Sequence, residues 1–168
     1  QGYSVAVLAG GSVYGIELGS GRVNWRRHVG LQTLMTPIRV SEEGNADTIL
    51  VDESRYELVR VDTLTGEQKW RLPIGGPVTQ PKIYNGQLYC NIHESTNPVN
   101  GAAGSDDSSE LTGVLLVVDV DSGHVERNIR YPMGTHVGPG FDDENGIIYQ
   151  IGDHSNLYRS HSFLNDGR

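Results

Sequence analysis

Residues 61–70 read Val61-Asp62-Thr63-Leu64-Thr65-Gly66-Glu67-Gln68-Lys69-Trp70. An apolar residue leads into an acid, a Thr-Gly pair makes a turn, and a tryptophan follows four residues after the glycine. The same frame stands at Ile16-Glu17-Leu18-Gly19-Ser20-Gly21-Arg22-Val23-Asn24-Trp25, with Glu in place of Asp. It recurs at Val118-Asp119-Val120-Asp121-Ser122-Gly123, where Arg127 takes the tryptophan position. A weak fourth copy keeps only Asp166-Gly167.

Working outward, the four turn glycines lie 45, 57 and 44 residues apart. The long interval holds a polar run at 95–110, rich in Ser, Asn, Gly and Asp. Removing about a dozen residues there restores the period. A second landmark agrees. Thr36-Pro37-Ile38, Gln80-Pro81-Lys82 and Gly138-Pro139-Gly140 each precede a short apolar stretch, with the prolines 44 and 58 residues apart. Two independent markers thus report one period and one insertion.

Each unit reads as four short strands. Residues 47–51, 87–92 and 146–151 are short, apolar and β-branched or aromatic. A polar tip and a second strand follow each, at 57–62, 113–119 and 156–160. After the glycine turn comes a third, at 22–28, 67–72 and 124–131, and the proline-marked segment supplies a fourth. No stretch sustains helical periodicity with caps. Four short strands about every 45 residues predict an all-β fold, a β-propeller of roughly three and a half blades. One sheet cannot bury both faces alone, and stacking neighbours covers them. The whole chain, 1–168, reads as one partial propeller, with blades at about 4–30, 37–72, 80–131 with an insertion at 95–112, and 138–168. The first blade lacks its first strand and the last lacks its fourth. The chain is therefore expected to belong to a larger ring or to be completed by another chain, with a closed four-blade ring as the alternative. Val5, Val7, Val13, Tyr14, Tyr149, Ile151 and Leu157 are the apolar residues expected on its uncovered faces.

The 168 residues carry 13 Lys+Arg against 21 Asp+Glu, a net charge of -8. This balance argues against a nucleic-acid backbone as partner. No apolar run reaches the ~20 residues of a membrane helix, so direct membrane insertion is not expected. The start shows no secretory apolar region, which a mature chain would also lack. The single cysteine, Cys90, excludes an internal disulfide and CxxC-type metal sites.

The frame of hydrophobic-Asp-x-x-Thr-Gly-x-x-x-Trp resembles the repeat of pyrroloquinoline-quinone-type propellers, and the resemblance covers nearly the whole chain. It is a blade motif and not an active-site motif. It implies structural roles for Glu17, Gly21, Trp25, Asp62, Gly66, Trp70, Asp119 and Gly123. The glycines are expected at positive φ, the acids as acceptors for turn N–H groups, and the tryptophans as packing between adjacent blades. Proteins with this repeat divide into quinoprotein dehydrogenases, which use the quinone, a calcium ion and an aspartate base, and non-catalytic scaffolds such as the propeller subunit of the bacterial outer-membrane assembly machinery. The enzymes often carry a vicinal disulfide ring, which one cysteine cannot form.

Three further polar segments stand out. His93-Glu94-Ser95 and Asp153-His154-Ser155 align with Asp52-Glu53-Ser54 at the strand tips, a pattern that wet hairpin tips explain better than metal ligation. Asp142-Asp143-Glu144-Asn145-Gly146 lacks the calcium-loop frame and reads as a hairpin turn matching Asn85-Gly86. The insertion offers Asn97, Asn100, Asp106, Asp107 and Glu110, either as an interaction loop on a rigid scaffold or as a tolerated solvated excursion. No catalytic, cofactor-binding or metal residue is assigned. The expected function is a non-catalytic scaffold for protein–protein interaction, periplasmic or extracellular/lumenal by the resemblance. Its partner would be another protein or the remainder of its own propeller. The alternatives are a fragment of a quinone-dependent alcohol or sugar dehydrogenase, which alone would need pyrroloquinoline quinone and calcium, and a ligand-sensing propeller domain of a receptor.

Overall fold

The structure is a computed structural model that describes residues 4–31, 35–41, 46–94, 112–131, 139–142, 144–145, 147–151 and 157–160. Among them there are only strands, turns and loops, with no helix. The strands are β1 (Ser4–Ala9), β2 (Ser12–Glu17), β3 (Val23–His28), β4 (Ile38–Arg39), β5 (Asp47–Asp52), β6 (Glu57–Asp62), β7 (Gln68–Pro73), β8 (Lys82–Tyr84), β9 (Gln87–Glu94), β10 (Thr112–Asp119), β11 (Val125–Tyr131), β12 (Gly140–Asp142), β13 (Ile147–Ile151) and β14 (Leu157–Ser160). They form four antiparallel sheets in chain order, β1-β2-β3, β4-β5-β6-β7, β8-β9-β10-β11 and β12-β13-β14. This succession of meander sheets makes the chain a partial β-propeller of all-β class.

The first strand of each full sheet is very short because it starts directly after a proline. Pro37 and Pro81 have no N–H for a ladder, so the continuous ladders begin at Ile38 and Lys82, with Val78 bridging Ile92 ahead of Pro81. The second strand is the best covered, and every residue of β5 is buried. Its polar members find partners inside the protein. Asp47 meets Arg60 and Lys69, Thr48 shares a hydrogen bond with Thr63, and Asp52 accepts from Ser54. The last strands, β3 and β7, alternate exposed and half-buried residues and carry charges at their open edge, which discourages edge-to-edge pairing.

The chain divides into two compact units. One comprises residues 1–75 with 119–124; the other comprises 76–118 with 125–168. In the first, Val13, Val29, Leu50, Val59 and Val61 form a core against which Ala6, Leu8 and Trp25 pack. In the second, Tyr89, Leu115, Val117 and Ile148 are joined by Tyr84, Ile129 and Phe141. Phe141 stacks on Tyr84 at 4.8 Å and meets the Tyr89 ring edge-on at 4.9 Å.

Two expectations are corrected. Val13 is buried in the first core rather than on an uncovered face, because its side chain lies on the side of β2 that packs with Leu50, Val59 and Val61 of the next sheet. The hairpin at 142–147 is not the twin of Asn85-Gly86. Tyr84 pairs with Gln87 across a two-residue turn, with φ of 47° at Asn85 and 74° at Gly86. Asp142 instead pairs with Ile147, and its carboxylate accepts from the Asn145 backbone N–H and side-chain amide. An aspartate that binds its own loop stabilises a wider turn.

Candidate functional site

The repeat motif builds the same turn three times. The Gly21 N–H donates to the Glu17 carbonyl, Gly66 to Asp62 and Gly123 to Asp119, at 2.8–2.9 Å. The N–H of each acid donates back across the turn, to Arg22, Glu67 and His124. A register shift stands just before each acid, at Gly15/Ile16, Arg60/Val61 and Val117/Val118. The three glycines have φ of 70°, 75° and 73°, a region that costs a residue with a Cβ about 1–2 kcal/mol.

The acids hold these turns closed. Asp62 accepts from the N–H groups of Leu64 and Thr65 and from the Thr65 hydroxyl. Asp119 accepts from the N–H and hydroxyl of Ser122. Glu17, one methylene longer, takes the Ser20 hydroxyl instead. Burial pushes the Asp62 carboxyl up. The Thr65 and Leu64 donors with Lys69 outweigh it and hold that carboxyl below the ordinary range. The Ser122 hydroxyl and N–H hold Asp119 low as well.

The tryptophans join one sheet to the next turn. Trp25 leaves β3, crosses over Gly15 of its own sheet, and lies on Gly66, where a Cβ would come within 2.5 Å of the indole. Its Nε1–H donates to the Thr63 carbonyl at 2.9 Å, and Asn24 donates to the Leu64 carbonyl. Trp70 repeats this from β7. It covers Gly123, where a Cβ would come within 2.8 Å of the ring, and donates to the Val120 carbonyl at 2.9 Å. That carbonyl accepts a second bond from Arg60, which also contacts Asp47 at 2.7 Å and Asp121 at 2.8 Å. Glycine is therefore needed for two reasons, positive φ and the space taken by an indole.

Gly15, Asn24, Asp47, Arg60 and Lys69 escape the motif reading, yet they complete this contact. The register supplies the missing signal, since Gly15 pairs with Trp25 and Arg60 with Trp70. A small residue or a long cation beneath each tryptophan follows from that pairing. Asn97, Asn100, Asp106, Asp107 and Glu110 lie outside the described residues, as do His154 and the Asp166-Gly167 turn.

At the strand tip of the second sheet, Asp52 is buried and binds the Ser54 hydroxyl, while the Ser54 N–H donates to the Val29 carbonyl. The tip thus packs one sheet on another. Among the described residues no group of three or more His, Cys, Asp or Glu could hold a metal ion. Cys90 is buried, and burial pushes its thiol up to about 12. A cavity of about 120 Å³ lies beside Ser4, Ala6, Pro37, Arg39, Thr48 and Thr63. The Ser4 hydroxyl is buried without a hydrogen bond. The space suits a few waters or one small polar group.

No family model and no curated protein matches the sequence. Among solved structures the chain is similar to BamB from Moraxella catarrhalis, at 15% identity and a TM-score of 0.45, over 94% of this chain and 58% of that one. It is also similar to a europium-containing methanol dehydrogenase, at 10% identity and a TM-score of 0.45, over 90% of this chain and 40% of that one. Both are PQQ-like β-propellers. The chain spans less than two thirds of either neighbour's length.

Proposed function

We propose that the chain is a non-catalytic propeller scaffold that binds other protein, working outside the cytoplasm. One observation carries the reading. The acids that recur from sheet to sheet are bound into turns. Asp62 and Asp119 are held ionised by turn donors, and a base of depressed pKa is a weak proton acceptor. The buried Cys90 thiol is likewise kept protonated. The repeated chemistry is that of assembly. The extracytoplasmic setting rests on the resemblance of the repeat.

Pyrroloquinoline quinone with calcium tests the reading. Neither should move the thermal midpoint, because a scaffold needs no such group. A specific ligand at 100 times its dissociation constant would stabilise the fold by about 2.7 kcal/mol. A saturable upward shift would replace the scaffold with a quinone-dependent dehydrogenase.

A further inference from the structure

Charge is segregated within this acidic chain. The strands that follow the three glycine turns, β3, β7 and β11, carry Arg26, Arg27, Lys69, Arg71, Arg127 and Arg130 against a single acid, Glu126. The cations of β7 are answered from their own sheet. Lys69 meets Asp47 at 2.7 Å and Arg71 meets Glu57 at 3.6 Å. Those of β3 are not. The Arg26 Nε–H donates to the Ser12 hydroxyl, and its guanidinium lies 5.6 Å from the centre of the Tyr14 ring. Arg27 donates from both terminal nitrogens to the Gln68 side-chain oxygen, at 3.2 and 3.3 Å. Neither arginine meets a carboxylate among the described residues. Across the ladder Arg26 pairs with Tyr14 and Arg27 with Val13, so the two side chains leave opposite faces of one edge strand.

We infer that the open edge of β3 docks an extended segment of another protein that carries two consecutive acids. The inference rests on the scaffold reading and names the partner chemistry that reading leaves open. An edge strand offers unpaired backbone N–H and C=O groups to an added strand. Neighbouring side chains of that strand point to opposite faces. An acidic pair thus sets one carboxylate beside Arg26 and the other beside Arg27, and each arginine exchanges a neutral partner for a charge-assisted one. The same cations exclude wrong partners. A second copy is a poor occupant, because its β3 and β7 edges repel and none of the described strands carries two consecutive acids. At a net charge of -8 the chain as a whole repels a long polyanion. Local acids on a pairing backbone therefore suit this edge better than a nucleic acid or an anionic bilayer.

The test is titration of the 168-residue chain with short blocked peptides of alternating Thr and Val around a central pair, read by backbone amide NMR. A glutamate pair should give saturable shifts along Val23–His28. A glutamine pair should bind at least about fivefold more weakly, the worth of two cross-strand charge pairs, and a lysine pair should not bind. Arg26→Gln and Arg27→Gln should each weaken the glutamate peptide by about twofold or more. Arg55→Gln, at an exposed cation of a strand tip, should leave its binding unchanged. Arg26→Glu combined with Arg27→Glu should reverse the preference, so that the lysine pair binds and the glutamate pair does not. The inference is overturned by no saturable shift in β3, by equal binding of the glutamate and glutamine peptides, or by shifts that survive both glutamine substitutions. Inorganic tripolyphosphate binding β3 as tightly as the glutamate peptide would make the edge a bare anion patch and overturn it equally. These outcomes reject the edge alone, because the scaffold reading fails separately, on a stability shift with quinone and calcium.

Discussion

At the scale of single residues, the tryptophan contact combines two separable contributions. The ring excludes water from the next turn's glycine, and the N–H satisfies a carbonyl. Trp70→Ala loses both and should destabilise the protein by about 3 kcal/mol, the lower end for large truncations, because the ring is half-buried. Trp70→Phe keeps a ring over Gly123 and should cost about 1 kcal/mol, the net worth of one hydrogen bond. Urea denaturation separates the two, and equal losses would mean that the ring contributes nothing. The acids make a second claim. The folded Asp62 carboxyl lies below its ordinary value, so its stabilisation is full above the unfolded pKa near 4 and is lost as pH falls through the folded value. Thermal midpoints between pH 2 and 5 should therefore fall less steeply for Asp62→Asn than for the unaltered chain. Parallel curves would show that this carboxylate is not what holds the turn.

At the scale of strands, position within a sheet decides protection. β5 and β6 are paired on both sides and almost wholly buried. β1 and β3 are edge strands with residues open to solvent. Amide hydrogens exchange through local opening, which is easiest at edges. The amides of Leu50, Val51, Leu58 and Val59 should therefore exchange slowest in the first unit, and the outward amides of β3 fastest. Native-state exchange checks this order. Rapid exchange in β5 would mean that the second sheet is not the centre of its unit. Strand reading from sequence worked best for these central strands, where β-branched runs leave little choice. It worked least for the proline-marked strands, of which β4 is two residues long, because proline removes the donor that would lengthen them.

At the scale of the molecule, the chain is interleaved. The strands of the β10–β11 hairpin fall mostly in the second unit, and its turn, 119–124, falls in the first. Neither unit is a single continuous stretch of sequence, so opening one disturbs the backbone that the other uses. The two units should unfold in one transition, as cooperative small domains do. Trp25 fluorescence reports the first unit. Labelling of Cys90, whose thiol is buried and held protonated to about 12, reports the second. The two probes should give the same urea midpoint. Separate midpoints would show that the units fold independently.

The sequence alone determined the repeat, the strand order and the turn chemistry. Those follow from local rules of period, proline placement and glycine at positive φ, each readable within about ten residues. The motif also marked Trp25 and Trp70 as packing residues. Only the tertiary structure decided what they pack on. Sequence shows that Gly66 needs a positive φ, but not that an indole from 41 residues earlier lies where its side chain would be. It shows the three turn acids, but not that Arg60 links two others, Asp47 and Asp121. It shows three equal turns, but not that indoles cover Gly66 and Gly123 while the space at Gly21 is open. Such contacts join distant segments whose meeting depends on the twist and register of whole sheets, and no local pattern encodes that meeting.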